Sequence, residues 1–133
     1  MSFSLIIPTL NEAENIDPLL SGIFSLDTLG SQFEIIIVDD GSTDGTPDKV
    51  RQWQNPHNWR LIERRTQPDR TASILDGTAV ARHEVIAVMD ADLSHPPARL
   101  AALIQPILDG THDLTIGSRY IAGGNTIDWP FYR

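Results

Sequence analysis

An apolar run at residues 85–89 ends abruptly in Asp90-Ala91-Asp92, and the pair Pro96-Pro97 follows shortly after. Short apolar runs with β-branched residues, bounded by turn-forming residues, are typical of buried strands in a parallel sheet. Open α/β sheets bind their ligands just beyond the carboxyl ends of the strands. The sequence therefore predicts a buried parallel strand whose end presents two carboxylates at a ligand-binding edge.

Asp90 and Asp92 themselves suggest a cation site. Two carboxylates this close repel each other and are costly to desolvate unless a cation neutralises them. Mg²⁺ and similar hard ions take oxygen ligands, commonly one or two carboxylates with substrate phosphates. The functional interpretation is a site where a metal ion binds a diphosphate. The alternative is an acidic turn that is merely solvated. His95 is a candidate third ligand or proton carrier, but a structural role in the turn is favoured for it.

The rest of the chain alternates between strand-like and helix-like segments. Strands are predicted at residues 3–8, 33–38, 59–64, 84–89 and 113–117. Helices are predicted between them, at residues 12–24, 47–54, 71–81 and 97–108. Strict alternation of this kind indicates a mostly parallel sheet with helices packed on it.

Two of these helix starts are predicted from capping residues. Asn11 is a candidate N-cap, and Glu14, three residues on, completes a capping-box-like pattern. Thr46 is predicted as the N-cap of the next helix, with Pro47 at its first helical position.

Polar groups follow three of the predicted strands, at residues 8–12, 39–44 and 90–92. Because parallel strands end at the same edge, we expect these groups to lie close together. Asp39 and Asp40 can accept hydrogen bonds from ribose hydroxyls or a base edge. A helix-entry turn, in which the acidic residues satisfy backbone donors, is about equally well supported.

Arg119 follows the predicted last strand and would lie at the same edge of the sheet. The arginine side chain presents a fixed fork of donors that suits phosphate. Arg133 carries the same group near a Trp-Pro pair. An ordinary surface arginine is the alternative for both residues.

Composition excludes several functional classes. The formal net charge of −8 argues against a nucleic-acid partner, which needs clustered Lys and Arg. The chain has no cysteine, which rules out disulfides, thiolate metal sites and cysteine nucleophiles. The start lacks the basic region of a signal peptide, and no apolar run approaches the roughly 18 residues needed to span a bilayer. A cytoplasmic protein is expected.

Five motifs, in order, resemble those of family 2 glycosyltransferases with the GT-A fold. Within that family they resemble the polyprenyl-phosphate (dolichol-phosphate mannose synthase-like) group. The motifs lie at residues 7–12, 37–46, 89–97, 117–120 and 129–133. The resemblance implies an α/β, GT-A (Rossmann-like), mostly parallel sheet with helices on both faces. Residues 1–133 would be the N-terminal, nucleotide-sugar-binding part of such a domain.

The resemblance also implies roles for individual residues. The donor nucleoside would be held by Pro8, Glu12 and Asp40, with Asp39 shaping the same loop. Mg²⁺ or Mn²⁺ would be bound by Asp90 and Asp92, with Ser94 as a further ligand, and would bridge the donor diphosphate. Asp92, Arg119 and Arg133 would be the catalytic residues, the two arginines gripping the acceptor phosphate.

The implied reaction is inverting transfer of a sugar, with mannose favoured, from a nucleoside-diphosphate sugar to a polyprenyl phosphate. GDP-mannose is the favoured donor, and a UDP-sugar is the alternative. The membrane surface would be reached through segments absent from this chain, at the cytoplasmic face. A chain ending at Arg133 would lack part of the acceptor site, so we expect it to be inactive, or nearly so, alone.

This chain departs from the family pattern at residues 66–73, which lack the usual glycine-rich run. Leu10 also stands where an aromatic residue is common. A family 2 transferase with another acceptor and a non-catalytic nucleotide-sugar-binding module are the competing hypotheses. A phosphoacceptor signalling domain is rejected, because it needs a lysine after the last strand and the sole lysine, Lys49, lies in a predicted helix.

Overall fold

The computed structural model describes residues 1–30, 32–53 and 59–121. Its strands, β1 (Phe3–Thr9), β2 (Phe33–Asp39), β3 (Trp59–Glu63) and β4 (Ile86–Val88), form one parallel sheet in the order β3-β2-β1-β4. Its α-helices are α1 (Ala13–Phe24), α2 (Thr46–Gln52), α3 (Arg70–Ala79) and α4 (Leu100–Leu108), with 3₁₀ turns at Asp27–Leu29 and Pro97–Arg99. Within these ranges, no helix is long and apolar enough to cross a bilayer.

Helices cover both faces of the sheet, as the sequence predicts. Alternate residues of β1 and β2 face opposite sides, so each strand contributes to two apolar layers. The larger layer joins Leu5 and Ile37 to apolar side chains of α1, α2 and α4. The smaller layer joins Ile6 and Val38 on the other side, where α3 packs. Each of these fully buried side chains contributes roughly 1.5–3 kcal/mol of hydrophobic stabilisation.

Gly77 lets α3 approach the sheet closely. A Cβ atom at this position would lie 2.7 Å from Cγ2 of Ile6 and 3.1 Å from Cγ2 of Val38. We expect Gly77→Ala to lower the free energy of unfolding by about 1–3 kcal/mol, because the added methyl group overpacks this layer. Urea denaturation measures the change.

Gly22, in α1, is the matched control for that substitution. A Cβ there would meet Cγ of Pro97 at 3.5 Å, an ordinary contact. Gly22→Ala is therefore expected to be neutral or to stabilise by up to about 1 kcal/mol through helix propensity. Equal losses for the two variants would contradict the close approach of α3.

Glu34 is a charged residue buried inside the sheet, and its carboxylate is fully used. The Ser4 hydroxyl donates to it at 2.8 Å, the backbone N–H of Arg82 donates at 2.6 Å, and Nη2 of Arg60 lies 3.1 Å away. Burial raises the pKa of Glu34, but these donors and the arginine charges outweigh burial and hold the pKa below its usual 4.5.

This arrangement predicts acid sensitivity. A carboxylate whose pKa is depressed in the folded state contributes stability above its unfolded pKa and loses that contribution as the pH falls. Stability is expected to decline as the pH drops below 4.5 towards the lowered pKa of Glu34. Urea midpoints measured against pH should fall less steeply in this range for Glu34→Gln. Superimposable slopes would contradict the assignment.

The predicted strand at 113–117 is absent from the structure, and this prediction was wrong. The alternation of Leu114 and Ile116 suggested a strand, but both side chains are largely exposed. A strand needs a hydrogen-bonding neighbour, and this segment instead lies against α4, where the Thr115 hydroxyl donates to the carbonyl of Leu103 at 2.7 Å. The strand predicted at 84–89 is present but shorter than predicted, at Ile86–Val88.

Candidate active site

A cleft of about 330 Å³ opens at the carboxyl ends of the strands. It lies where the strand order reverses between β1 and β4, the position at which open α/β sheets bind ligands. Five predicted site residues line it together: Pro8, Glu12, Asp40, Asp90 and Asp92. Residues that the sequence analysis did not single out also line it, among them Asp69 and Arg70.

One side of the cleft is formed by the loops that follow β1 and β2, and hydrogen bonds join these two loops. The N–H of Ala13, at the start of α1, donates to Asp44 at 2.9 Å, and the N–H of Glu12 donates to the Thr46 hydroxyl at 2.9 Å. The Asn11 side chain accepts from the N–H of Thr43 at 2.9 Å. The loops after β1 and β2 therefore fix each other, which positions Glu12 at the cleft.

These bonds correct both predicted helix caps. Glu12, not Asn11, precedes the first residue of α1, and Asn11 adopts a positive φ of 58°. Gly45, not Thr46, is the N-cap of α2. The Asn11 prediction failed because the donors at the start of α1 are satisfied by Asp44 and Thr46 of the other loop. The Thr46 prediction failed because its hydroxyl accepts from the Glu12 N–H and donates to Asp44 instead of capping α2.

Asp39 and Asp40 have different surroundings. Asp39 accepts from the hydroxyl and the N–H of Ser42, at 2.5 and 3.0 Å, and from the Thr9 hydroxyl at 3.2 Å. Both residues are buried, but Asp39 shapes the loop and does not line the cleft, whereas Asp40 does line it. The structure thus separates two residues that the sequence treats as a pair.

Arg64 fixes Asp40 from behind the cleft. Its guanidinium forms an ion pair with Asp40. It also donates hydrogen bonds to the carboxylate of Asp76 at 2.8 Å and to the carbonyl of Asp69 at 3.2 Å. The N–H of Asp69 also donates to Asp40, at 2.6 Å. The Arg64 and Asp40 side chains are only 9% and 6% exposed, so this pair is protected from water. It ties the end of β2 to the start of α3.

Asp92 is held in place by the turn that follows it. The N–H of Ser94 donates to Asp92 at 3.0 Å across Leu93, whose φ of 62° is rare for a bulky residue. Partial burial raises the pKa of Asp92, but hydrogen bonds from the hydroxyl and N–H of Ser94 outweigh it. The pKa of Asp92 therefore lies below its ordinary value, and the carboxylate is ionised at neutral pH.

Asp90 has a positively charged partner in this structure. Its carboxylate forms an ion pair with the guanidinium of Arg70, from the first residue of α3. His95 accepts a hydrogen bond at Nδ1 from the backbone N–H of Asp90, at 3.1 Å. This bond gives His95 the structural role in the turn that the sequence analysis favoured.

The side chains that could coordinate a metal ion determine which kind of metal site the cleft can form. Within residues 1–30, 32–53 and 59–121, no group of three or more His, Asp or Glu side chains is placed to hold a metal ion alone. Asp90 and Asp92 nevertheless offer hard oxygen donors in one cleft, and Mg²⁺ sites often add substrate phosphates to one or two carboxylates. The residues fit a divalent ion that shares its coordination with a bound diphosphate.

Of the two predicted acceptor residues, only Arg119 lies within the described part of the chain. Arg119 is half-buried and does not line the cleft, while Arg133 and the 129–133 motif lie outside the described residues. Sequence reasoning missed Arg64 and Arg70. Arg64 directly follows β3, so the rule that polar residues at strand ends build the site would have found it.

Taken together, the parallel sheet and the carboxylate-lined cleft at its switch point define an open α/β domain with a candidate ligand site at the strand ends. Comparison with known proteins narrows the class. Residues 4–133 match the family described as Glycosyl transferase family 2, and the chain belongs to this family.

Curated relatives are similar along the whole chain. It is 41% identical over 133 residues to a dolichol-phosphate mannosyltransferase of Pyrococcus furiosus, covering 100% of this chain and 37% of the relative. It is 34% identical over 137 residues to the Saccharomyces cerevisiae enzyme of the same name, covering 100% and 51% respectively. The chain thus spans about a third to a half of these relatives.

Among solved structures, the chain resembles a mannosyltransferase from Pyrobaculum calidifontis in complex with GDP-Man and Mn²⁺. The TM-score is 0.64 at 32% identity, covering 68% of this chain and 27% of the other. This similarity confirms the predicted α/β, GT-A fold.

Proposed function

We propose that this chain is the donor-binding part of an inverting glycosyltransferase. The enzyme moves mannose from GDP-mannose to a polyprenyl phosphate at the cytoplasmic face of a membrane. Pro8, Glu12 and Asp40 hold the nucleoside, and Asp90 and Asp92 hold Mg²⁺ or Mn²⁺ against the diphosphate.

One observation carries this proposal. The cleft at the strand ends gathers the carboxylates of Asp90 and Asp92 with Pro8, Glu12 and Asp40 from two other strand ends. The similar Pyrobaculum structure, which holds GDP-Man and Mn²⁺, and the names of the curated relatives support mannose as the sugar.

The protein's own groups bind and orient the reactants. Asp40 is fixed by Arg64, and Asp92 is fixed by Ser94, so both carboxylates are positioned before the donor arrives. Fixed geometry of this kind removes part of the entropic barrier to reaction. A bound divalent ion would supply positive charge against the diphosphate leaving group.

The transfer itself exchanges one C–O bond for another. A phosphate oxygen of the acceptor forms a bond to the anomeric carbon, and the bond to the donor diphosphate breaks on the opposite face. The electron pair leaves with the diphosphate, and the anomeric configuration inverts. A phosphate monoester is largely ionised at neutral pH, since its second pKa is about 6, so the reaction needs no protein base. Arg119 and Arg133 are the proposed acceptor-phosphate residues.

The test is calorimetric titration of the purified chain with GDP, GDP-mannose, UDP and UDP-glucose, each with Mn²⁺ and with EDTA. We expect manganese-dependent binding of the guanine nucleotides. Preference for the uracil nucleotides would replace GDP-mannose by a UDP-sugar as the donor. A folded chain that binds none of the four would contradict the proposal.

The competing hypotheses are separated by turnover in the longest available form of the protein. Transfer to polyprenyl phosphate supports the proposed acceptor, whereas transfer only to a water-soluble acceptor indicates another family 2 activity. Donor binding without any transfer would indicate a nucleotide-sugar-binding module.

A further inference from the structure

Arg70 brings positive charge into an otherwise acidic cleft. Among the described residues that line the cleft, it is the one cation, beside Glu12, Asp40, Asp69, Asp90 and Asp92. A nucleoside diphosphate is itself an anion, so this surface repels it unless cations intervene. Arg70 is therefore in a position to attract an anionic ligand as well as to pair with the carboxylates.

The backbone of Arg70 is fixed at the start of α3, whereas its side chain is largely exposed to solvent. Its backbone begins α3, and the preceding Asp69 caps that helix by accepting from the N–H of Ala72 at 3.1 Å. Its side chain is 61% exposed and reaches the 31% exposed carboxylate of Asp90. An ion pair this open to solvent is weak, so it can be exchanged for another partner.

The pair also competes with metal binding. The guanidinium occupies Oδ1 of Asp90, one of the two carboxylates available to a divalent ion. A metal bound there must share this carboxylate with Arg70 or displace it. Once displaced, the guanidinium stays tethered at the cleft, where its fork of donors suits a phosphate.

We propose that Arg70 is an exchangeable counter-charge of the donor site, an inference that rests on the proposed function. It pairs with Asp90 before the metal binds, and it transfers to the donor diphosphate when the metal takes that carboxylate. Arg70 thereby opposes binding of the metal alone and favours the metal together with a nucleoside diphosphate.

The test compares Arg70→Leu with the wild-type chain by titration with Mn²⁺ alone and with GDP or UDP in saturating Mn²⁺. Losing an exposed ion pair should tighten binding of Mn²⁺ alone, by up to roughly fivefold. Losing a charge-assisted contact should weaken nucleotide binding about tenfold or more. Opposite changes in the two affinities are the expected signature.

Two variants serve as controls. Arg65→Leu removes the same charge from a neighbouring exposed position outside the cleft lining and should leave both affinities unchanged. Arg70→Lys keeps the charge but loses the paired N–H donors of the guanidinium. Its Mn²⁺ affinity should therefore stay near wild type, and its nucleotide affinity should lie between those of the wild type and Arg70→Leu.

The outcomes separate this inference from the proposed function. If the wild-type chain binds manganese and nucleotide but Arg70→Leu changes neither affinity, or shifts both in one direction, the role of Arg70 is contradicted and the proposed function stands. If the folded wild-type chain binds no nucleoside diphosphate, both proposals are contradicted.

Discussion

Replacement of Asp92 by Asn is expected to weaken manganese-dependent binding of GDP-mannose by about 100-fold or more. Removing groups that merely support metal ligands already costs 10–100-fold in affinity, so loss of a proposed ligand should reach at least the upper end. The amide keeps the shape of the side chain but removes its charge. Titration calorimetry with Mn²⁺ measures the loss.

Two comparisons make this result specific. Asp113→Asn removes the same charge from an exposed position outside the cleft and should bind donor like the wild type. With EDTA present, Asp92→Asn and the wild type should bind equally weakly. A tenfold or smaller loss with Mn²⁺ would place the metal elsewhere.

Replacement of Arg64 by Leu is expected to lower the free energy of unfolding by about 3–5 kcal/mol, because it leaves a buried carboxylate uncompensated. Asp40 is the residue left behind, since Arg64 pairs with it where both side chains are nearly buried. The start of α3 should also loosen, because Arg64 contacts the Asp69 carbonyl and the Ser73 hydroxyl. Urea denaturation followed by circular dichroism measures the change.

Arg51 provides the matched control. It pairs with Asp48 and Glu63, and all three side chains are well exposed. Surface pairs contribute about 1 kcal/mol or less, so Arg51→Leu should cost no more than that. Adding Asp40→Asn to Arg64→Leu should recover part of the loss, because the stranded charge is gone. Equal costs for Arg51→Leu and Arg64→Leu would contradict the importance of burial.

The sequence predicted the strand-end site well because that prediction needs only the parallel topology. Apolar runs mark the strands, and parallel strands end at one edge, so Pro8, Glu12, Asp40, Asp90 and Asp92 were expected together. The structure gathers all five around one cleft. Their roles in binding the donor stay predictions.

The pairings within the site could not be predicted in this way. Arg64 lies 24 residues from Asp40, and Arg70 lies 20 residues from Asp90, so no local pattern encodes either pair. The cap predicted at Asn11 failed for the same reason, since the N–H of Ala13 finds its acceptor 31 residues away. Local patterns predict an element, whereas its polar partners depend on the tertiary fold.

The central proposal is that Asp90 and Asp92 would hold a divalent ion, which would supply positive charge against a donor diphosphate. A crystal structure of the chain with Mn²⁺ and GDP, with anomalous data at the manganese edge, tests it most directly. We expect one manganese peak within coordination distance of Asp92 or Asp90 and of the diphosphate oxygens, with the nucleoside beside Pro8 and Asp40. Manganese held away from both carboxylates, or a nucleotide bound outside the cleft, would contradict the account.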